Sequence, residues 1–493
     1  MRRELAINAT PPETRVALLE DGRTVEVLHE RRARQGLVGN VYLGRVHRVL
    51  PGMHAAFLSI GLERDAFLYV EDVLPRTVEA DGEERDDAEG SASNDRPRIE
   101  DLLREGQELV IQVTKDPLSG KGPRVTANIA LPGRLLVCLP GARGVGVSRR
   151  ITDDAERERL RTILEGFPPG SGWIARTAAE GCELRDFLAD RAYLEELAAR
   201  IRRKAESASA PLLIHRELDL PLRSIRDLVA PDFAAIRVDD AAVRDRIAEF
   251  LSAAAPGLAG RVELDEGNPP LFERLGVEAE IENALKNRVA LKSGGSVVVQ
   301  QTEALVAIDV NTGKFVGTGA LEETVFATNL EAVGEVARQI RLRDLGGILV
   351  VDFIDMEDPE HRREVFESFE RELGRDRART RLLQISEFGL VEVTRQRTRG
   401  NLERVLTRSC PCCGGTGRVK TDLSVALDLR RDLLAGAVLY AAGETVRLRV
   451  RSSLAKLLSE EQNELVSEIE TRLGIRLQLI EDDTLEPTDY EIL

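Results

Sequence analysis

The sequence has little cysteine, little histidine and no long apolar run. Five cysteines in 493 residues are too few for a disulfide scaffold. Three crowd into Cys410-Pro411-Cys412-Cys413, while Cys138 and Cys182 stand alone; this reads as a reduced chain with one special thiol site. No stretch approaches the roughly 18 apolar residues of a membrane helix. Met1-Arg2-Arg3-Glu4 leads into no apolar core of signal-peptide length. Export and membrane insertion are therefore not expected, and the reading is a cytoplasmic protein. The five histidines (His29, His47, His54, His215 and His361) show no metal-ligand spacing. Ser119-Gly120-Lys121-Gly122 fails as a phosphate loop, because Lys115 occupies the first glycine position and Gly122 the Ser/Thr position. Long-period repeats are absent.

What is there is a soluble-protein composition, 42% hydrophobic and 31% charged, long enough for about three to four domains. The net charge of −16 taken alone argues against a nucleic-acid partner, but the charge is segregated. Residues 79–95 carry eight acids against Arg85, and residues 481–493 carry six acids and no base. Residues 371–420 carry twelve Arg/Lys and five Asp/Glu. Segregation of this kind decides what a surface attracts.

Residues 1–36 alternate around turn signals and predict short strands. From Gly39 to Val73, β-forming runs punctuated by glycine (Val41–Val46, Ala55–Ile60, Ala66–Val70) predict a small barrel or sandwich, which Leu109–Thr114 could close. The acidic stretch 79–98 has almost no apolar residues and reads as a disordered loop. Residues 135–139 predict a strand, and 153–164 and 184–207 carry helical spacing. Ala304–Ile308 is a short apolar strand ending at Asp309. A helix over 321–343 follows, Gly346-Gly347 breaks it, and Ile348–Val351 is a second buried strand ending at Asp352. An amphipathic helix is expected over 358–377, and helix, strand, helix, strand over 421–493.

Two apolar strands that each deliver an aspartate at the carboxyl end bring two carboxylates together if the strands are neighbours. Such a pair repels itself unless protonated or bridged by a cation. Carboxylate oxygens suit Mg²⁺ or Mn²⁺, and Mg²⁺ held by one or two carboxylates keeps several waters. Asn311, two residues after Asp309, could orient a phosphate or a water there. An Asp after a buried strand also serves as a simple turn or helix cap. Cys410 and Cys413 have zinc-knuckle spacing, but structural zinc takes four ligands and the chain offers one such pair. Either a second copy completes the site or the cysteines are free, and Cys412 could stand in for a partner. Arg395, Arg397, Arg399, Arg404 and Arg408 suit phosphate contacts, or form a solvated face. Phe57 and Phe67 lie on strand candidates near Arg45, His47 and Arg64, as base-stacking aromatics do in OB-type barrels, or as core phenylalanines do.

Gly39–Val46 (Gly-Asn-Val-Tyr-Leu-Gly-Arg-Val), Ala307–Gly313 (Ala-Ile-Asp-Val-Asn-Thr-Gly), Asp352–Met356 (Asp-Phe-Ile-Asp-Met) and Cys410–Cys413 together resemble the ribonuclease E/G family of bacterial endoribonucleases. The resemblance runs along the whole chain in one order, and is to the shorter members, without a long scaffold tail. It implies an α+β multidomain fold. An RNase H-like domain (1–36 and 222–284) carries an inserted OB-fold RNA-binding barrel (37–124, acidic loop 79–98) and a 5′-sensor domain (125–221). A DNase I-like catalytic domain (285–407), a zinc link (408–420) and a small α/β dimerisation domain (421–493) follow. The resemblance assigns Mg²⁺ to Asp309 and Asp352 with Asn311 in support, and zinc shared between two chains to Cys410 and Cys413. It assigns RNA binding to Phe57, Phe67 and Lys121. A 5′-monophosphate pocket falls to Gly133, Val137, Arg176 and Thr177, with Arg379 supporting it. The implied activity is Mg²⁺-dependent cleavage of single-stranded AU-rich RNA to 3′-hydroxyl and 5′-phosphate ends, stimulated by a 5′-monophosphate, in ribosomal RNA processing and mRNA decay. The implied assembly is a homodimer, extending to a dimer of dimers. The rival expectation is an RNA-binding scaffold that does not cut, and a metal-dependent DNA nuclease ranks behind it.

Overall fold

The computed structural model describes residues 2–32, 36–74, 77–78, 98–117, 121–230, 232–312, 321–383, 390–397 and 400–493. The acidic stretch read at 79–98 lies outside these apart from Arg98, as do Gly313, Lys314, Thr398 and Arg399. The chain divides into two compact units, Met1–Val405 and Leu406–Leu493, and mixes helices with sheets in both.

Three antiparallel strands, Arg3–Ala9, Glu13–Glu20 and Arg23–Arg31, open the first unit. Phe233–Val238 joins the first of them in parallel, and Val262–Leu264 joins Phe233–Val238. Residues from both ends of a 200-residue excursion thus share one five-stranded sheet. Leu5, Ile7, Val16, Phe233, Ile236 and Ile247 form its core.

The excursion builds two more sheets. Val41–Leu50, Ala55–Ser59, Ala66–Tyr69, Arg124–Thr126 and Glu108–Lys115 pair in that order, and the last pairs back with the first. The result is a small closed barrel, and residues 109–114 do close it, as their pattern suggested. Closure satisfies both edges of the sheet. Its interior holds Val46, Ala56, Leu58, Leu68, Ile111 and Val125. The second sheet runs Val145–Val147, Ser171–Ala175, Leu136–Pro140, Leu131–Pro132. Helices Asp154–Glu165 and Leu184–Glu206 share a core with it around Trp173 and Phe187.

The remaining sheet of this unit has six strands in the order Arg288–Ala290, Ser296–Gln301, Leu305–Asn311, Gly347–Asp352, Leu390–Arg395, Thr380–Leu382. Every pairing is antiparallel except that of Leu305–Asn311 with Gly347–Asp352. Parallel neighbours need a crossover, and the helix Leu321–Leu342 supplies it. A second helix, Pro359–Leu373, starts with the Asp358 side chain accepting the Glu360 N–H and proline in its first turn. Ala332, Val336 and Ile340 of the first helix and Val365 and Phe369 of the second cover Val306, Ile308, Leu349 and Val351. The other face of the sheet is open, and Ile348 on it is 51% exposed.

Ion pairs tie the crossover helix to the N-terminal sheet and to the helix Val277–Ala284, and brace the crossover helix itself. Arg341 meets Glu20 at 2.9 Å, and Arg338 meets Glu280 at 2.7 Å and Glu335 at 2.5 Å. Arg338 and Glu335 are both buried, where losing one partner strands a charge in the interior.

In the second unit Thr445–Val450, Arg476–Glu481 and Glu491–Ile492 form a three-stranded sheet. Helices Asp422–Ala435 and Asn463–Leu473 pack on it through Val425, Leu429, Leu448, Val450 and Ile469. Helix and strand alternate in the expected order. Among the described residues no helix is long and apolar enough to cross a membrane.

Candidate active site

Val306, Ile308 and Val310 turn inward under the helices, so Asp309 and Asn311 fall on the open face of the sheet. Leu349 and Val351 do the same for Asp352. The parallel register sets Asp309 directly opposite Asp352. Burial, and then the negative charges of Asp309 and Asp355, push the Asp352 carboxyl above the usual carboxylate range. Asn311 Nδ2 donates to Asp309 Oδ2 at 2.7 Å. The structure therefore brings Asp309, Asn311 and Asp352 into one cluster. Opposed carboxylates on adjacent strands are a donor set that a divalent cation relieves. Among the described residues no three His, Cys, Asp or Glu side chains converge as a metal cluster. Asp309 and Asp352 offer two facing carboxylates, a set that fits an ion that keeps its own waters, as Mg²⁺ does.

The segment after Asp352 is held by two residues that the sequence did not single out, both on the helix Leu321–Leu342. Asn329, fully buried, donates to the Ile354 carbonyl at 2.8 Å and accepts its N–H at 3.1 Å. Glu322 accepts the N–H groups of Glu357 and Asp358 at 3.3 and 3.2 Å and meets His361 Nδ1 at 3.1 Å. The Asp358 N–H leads in holding the Glu322 carboxyl below its ordinary value. His361 also stacks on Phe326, with ring centroids 4.1 Å apart. Replacing Asn329 with alanine strands a buried N–H and C=O, and is expected to cost about 2–4 kcal/mol. It should also slow any chemistry at Asp352. Urea denaturation checks the first effect, and an unchanged midpoint would contradict it.

On the barrel, Ala56, Leu58, Ala66 and Leu68 point inward, so Phe57 and Phe67 point out, half-buried rather than core. The register lays Arg48 beside Phe57, Phe57 beside Phe67, Phe67 beside Arg124 and Arg124 beside Lys115. One row across five strands therefore carries two aromatics flanked by cations. Phe57 and Phe67 meet edge to face at 5.5 Å. Lys121 is exposed and leads into Gly122, where a Cβ would collide with the Asp65 carbonyl oxygen. That close approach, together with the Phe67 N–H donating to the Pro123 carbonyl at 2.8 Å, sets Lys121 at the edge of the aromatic row. Arg48, Lys115 and Arg124 were not read as RNA contacts from the sequence; only the register places them in this row.

Two of the 5′-sensor candidates, Gly133 and Arg176, are in direct contact. Arg176 donates to the Gly133 carbonyl and, at 2.8 Å, to Asp227 Oδ1. Burial works against the Asp227 carboxylate, but Arg226 and Arg176 overcome it and hold the group at about 2. Thr177 Oγ1 lies 3.2 Å from Ser148 Oγ, and Val137 pairs with Ile174 one strand away. Asp190, buried, accepts the N–H groups of Arg134, Leu135 and Leu136 at 2.8–3.1 Å and so fixes the turn between Gly133 and Val137. Arg379 is exposed. Its charge, with those of Asp376 and Arg377, acts on Arg150, which burial first pulls below its ordinary value. Arg379 therefore lies within electrostatic reach of Arg150.

The basic run after Phe388 is not one surface. Arg395 is buried, with Nε 2.6 Å from Asp376 and Nη1 2.6 Å from Asp344. Its charge is committed to these two aspartates, which corrects both readings of it, as a phosphate contact and as part of a solvated face. Arg397 Nε donates to the Gly346 carbonyl at 3.1 Å, while Arg404 and Arg408 are exposed.

In the second unit the Cys410–Cys413 turn continues through Gly414, Gly415 and Gly417, all at positive φ. This curls the backbone so that the Gly417 N–H donates to Cys413 Sγ at 3.3 Å. The Gly417 and then Gly415 N–H groups hold the Cys413 thiol below its ordinary value. Glu486 does the opposite to Cys412, whose thiol it pushes up to about 11.

Comparison with known proteins gives a consistent set of matches. The profile of the ribonuclease E/G family matches residues 130–398, and that of the RNase E/G thioredoxin-like domain matches residues 409–493. Ribonuclease G of Escherichia coli strain K12 is 42% identical over 482 residues, covering 97% of this chain and 97% of that protein. Ribonuclease G of Haemophilus influenzae is 40% identical over 491 residues, 99% of each. Ribonuclease E of Escherichia coli K12 is 36% identical over 497 residues, all of this chain and 46% of that longer protein.

Proposed function

Since the chain belongs to the ribonuclease E/G family, we propose that it is a Mg²⁺-dependent endoribonuclease. Its substrate is single-stranded, AU-rich RNA, and it leaves 3′-hydroxyl and 5′-phosphate ends. The observation that carries this reading is the register pairing of Asp309 with Asp352 on the open face of the sheet.

Asp309 and Asp352 would hold the cation. When bound there, a divalent ion offsets charge on the scissile phosphate and acidifies the attacking water. Asn311 restrains the Asp309 carboxylate through its amide. Asn329 and Glu322 fix the backbone that leaves Asp352. The barrel row binds unpaired strands, because free bases stack on Phe57 and Phe67 while Arg48, Lys115 and Lys121 meet phosphates; duplex bases are already stacked and unavailable. Gly133, Val137, Arg176, Thr177 and Arg379 would receive a 5′-monophosphate and so favour processed ends. Cys410 and Cys413 from two copies would together supply the four thiolates that tetrahedral zinc takes, which makes the working form a homodimer and allows a dimer of dimers.

The domain reading that goes with this has an RNase H-like sheet, an OB-fold barrel, a 5′-sensor domain, a DNase I-like catalytic sheet, a zinc link and a dimerisation domain. The setting is cytoplasmic ribosomal RNA processing and mRNA decay.

The test is incubation with a single-stranded RNA carrying a 5′-monophosphate, with Mg²⁺ or with EDTA, followed by mapping of the product ends. Internal cuts that need Mg²⁺ and leave 5′-phosphates are expected. Binding without cleavage in any divalent ion would instead support a scaffold, and preference for DNA in competition would support a DNA nuclease.

A further inference from the structure

We propose that Tyr69, backed by Arg124, is a third base-stacking platform for single-stranded RNA, lengthening the aromatic row beyond Phe57 and Phe67. The proposal rests on the reading of the barrel face as the RNA surface. Tyr69 follows Phe67 by two residues on the strand Ala66–Tyr69 and so stands on the same outer face. Its ring meets that of Phe67 edge to face, with centroids 4.7 Å apart at 85°. Phe57, Phe67 and Tyr69 are therefore one continuous aromatic ladder.

Tyr69 is 37% exposed, a large fraction for an aromatic side chain already flanked by another ring. Its cross-strand partner is Ala55, too small to compete for the ring. The Arg124 guanidinium carbon lies 5.1 Å from the Tyr69 ring centroid. Arg124 is held there by Asp72, with Nη2 at 2.9 Å and Nε at 3.3 Å from Oδ2. Asp72 is buried, so the cation is fixed before any ligand arrives. A preorganised ring and guanidinium lose little freedom on binding, and both planes accept unstacked bases. A Tyr69 that only covered the Arg124–Asp72 pair would leave RNA binding unchanged when replaced.

The test measures binding of labelled oligouridylates of increasing length by fluorescence anisotropy. Buffer without added divalent ions keeps the RNA whole. The proteins are wild type, Tyr69→Ala, Tyr69→Leu, Tyr69→Phe and Phe57→Ala, each first checked by thermal melting. Tyr69→Leu keeps an apolar contact with Phe67 without a π-face, which guards against a folding failure of the alanine variant. Both non-aromatic variants should bind long oligomers roughly 5- to 100-fold more weakly, and lose much less on the shortest oligomers that bind. Tyr69→Phe should stay within about 2-fold of wild type, because stacking needs the ring and not the hydroxyl. If Phe57→Ala weakens binding while the Tyr69 variants bind as wild type does, this inference is overturned and the barrel-face reading stands. If Phe57→Ala also binds normally, the barrel-face reading fails with it. A loss in Tyr69→Phe as large as in Tyr69→Ala would overturn stacking as the cause.

Discussion

Asp309→Asn and Asp352→Asn should each slow RNA cleavage by roughly three orders of magnitude, the loss of several kcal/mol of charge stabilisation at the phosphate. The substitutions keep shape and remove one negative charge from a pair that the register sets face to face. Affinity for RNA should change little, because the aromatic row lies on the barrel and not on this sheet. Stability should move the other way. In the absence of a cation, burial and then repulsion from Asp309 and Asp355 raise the Asp352 carboxyl. A group whose folded pKa is raised destabilises the fold as pH climbs past its unfolded value. Each variant should therefore melt at or above the wild-type temperature near neutral pH without metal. Single-turnover cleavage and thermal melting in the same buffer check both halves. A variant that cuts at a near-normal rate would remove that residue from the site.

Removing both thiols of the Cys410–Cys413 turn is expected to take zinc away and break the dimer. Structural zinc binding is worth on the order of 10 kcal/mol, more than exposed turns of this kind could supply alone. Wild-type protein should hold half a zinc per chain, since one pair of thiols supplies half a tetrahedral site. Cys410→Ser combined with Cys413→Ser should lose the metal and sediment as a monomer. Cys412→Ser should keep both zinc and dimer, because Glu486 already engages that thiol. Metal analysis and sedimentation velocity read the two outcomes, and an unchanged sedimentation coefficient in the double variant would rule out shared zinc as the link.

How much of this could be read from the chain depends on the range of the interactions. The strands that carry Asp309 and Asp352 are legible because each is a short apolar run ending in aspartate, with a helical segment between them; that they are parallel neighbours is shown only by the register. Phe57 and Phe67 were ambiguous because the Ala55-Ala56-Phe57-Leu58 run is apolar on both parities; only the closed barrel decides which side faces in. Asn329 left no mark in the pattern, since its partner Ile354 lies 25 residues on and a mid-helix amide looks like any polar position. Arg395 looked like one of a basic series, yet its partners Asp376 and Asp344 come from other turns of the chain. The return of residues 233–264 to the N-terminal sheet was implied by family resemblance. Alternation alone tells that a strand exists and not which strand it joins.

In the proposed function Asp309 and Asp352 jointly hold the divalent ion that RNA cleavage needs. Electron paramagnetic resonance of Mn²⁺, titrated into wild type and into the two asparagine variants, addresses it directly. One Mn²⁺ per chain in wild type, weakened at least about 10-fold in both variants, is the result this account predicts. Equal Mn²⁺ binding by all three proteins would contradict it.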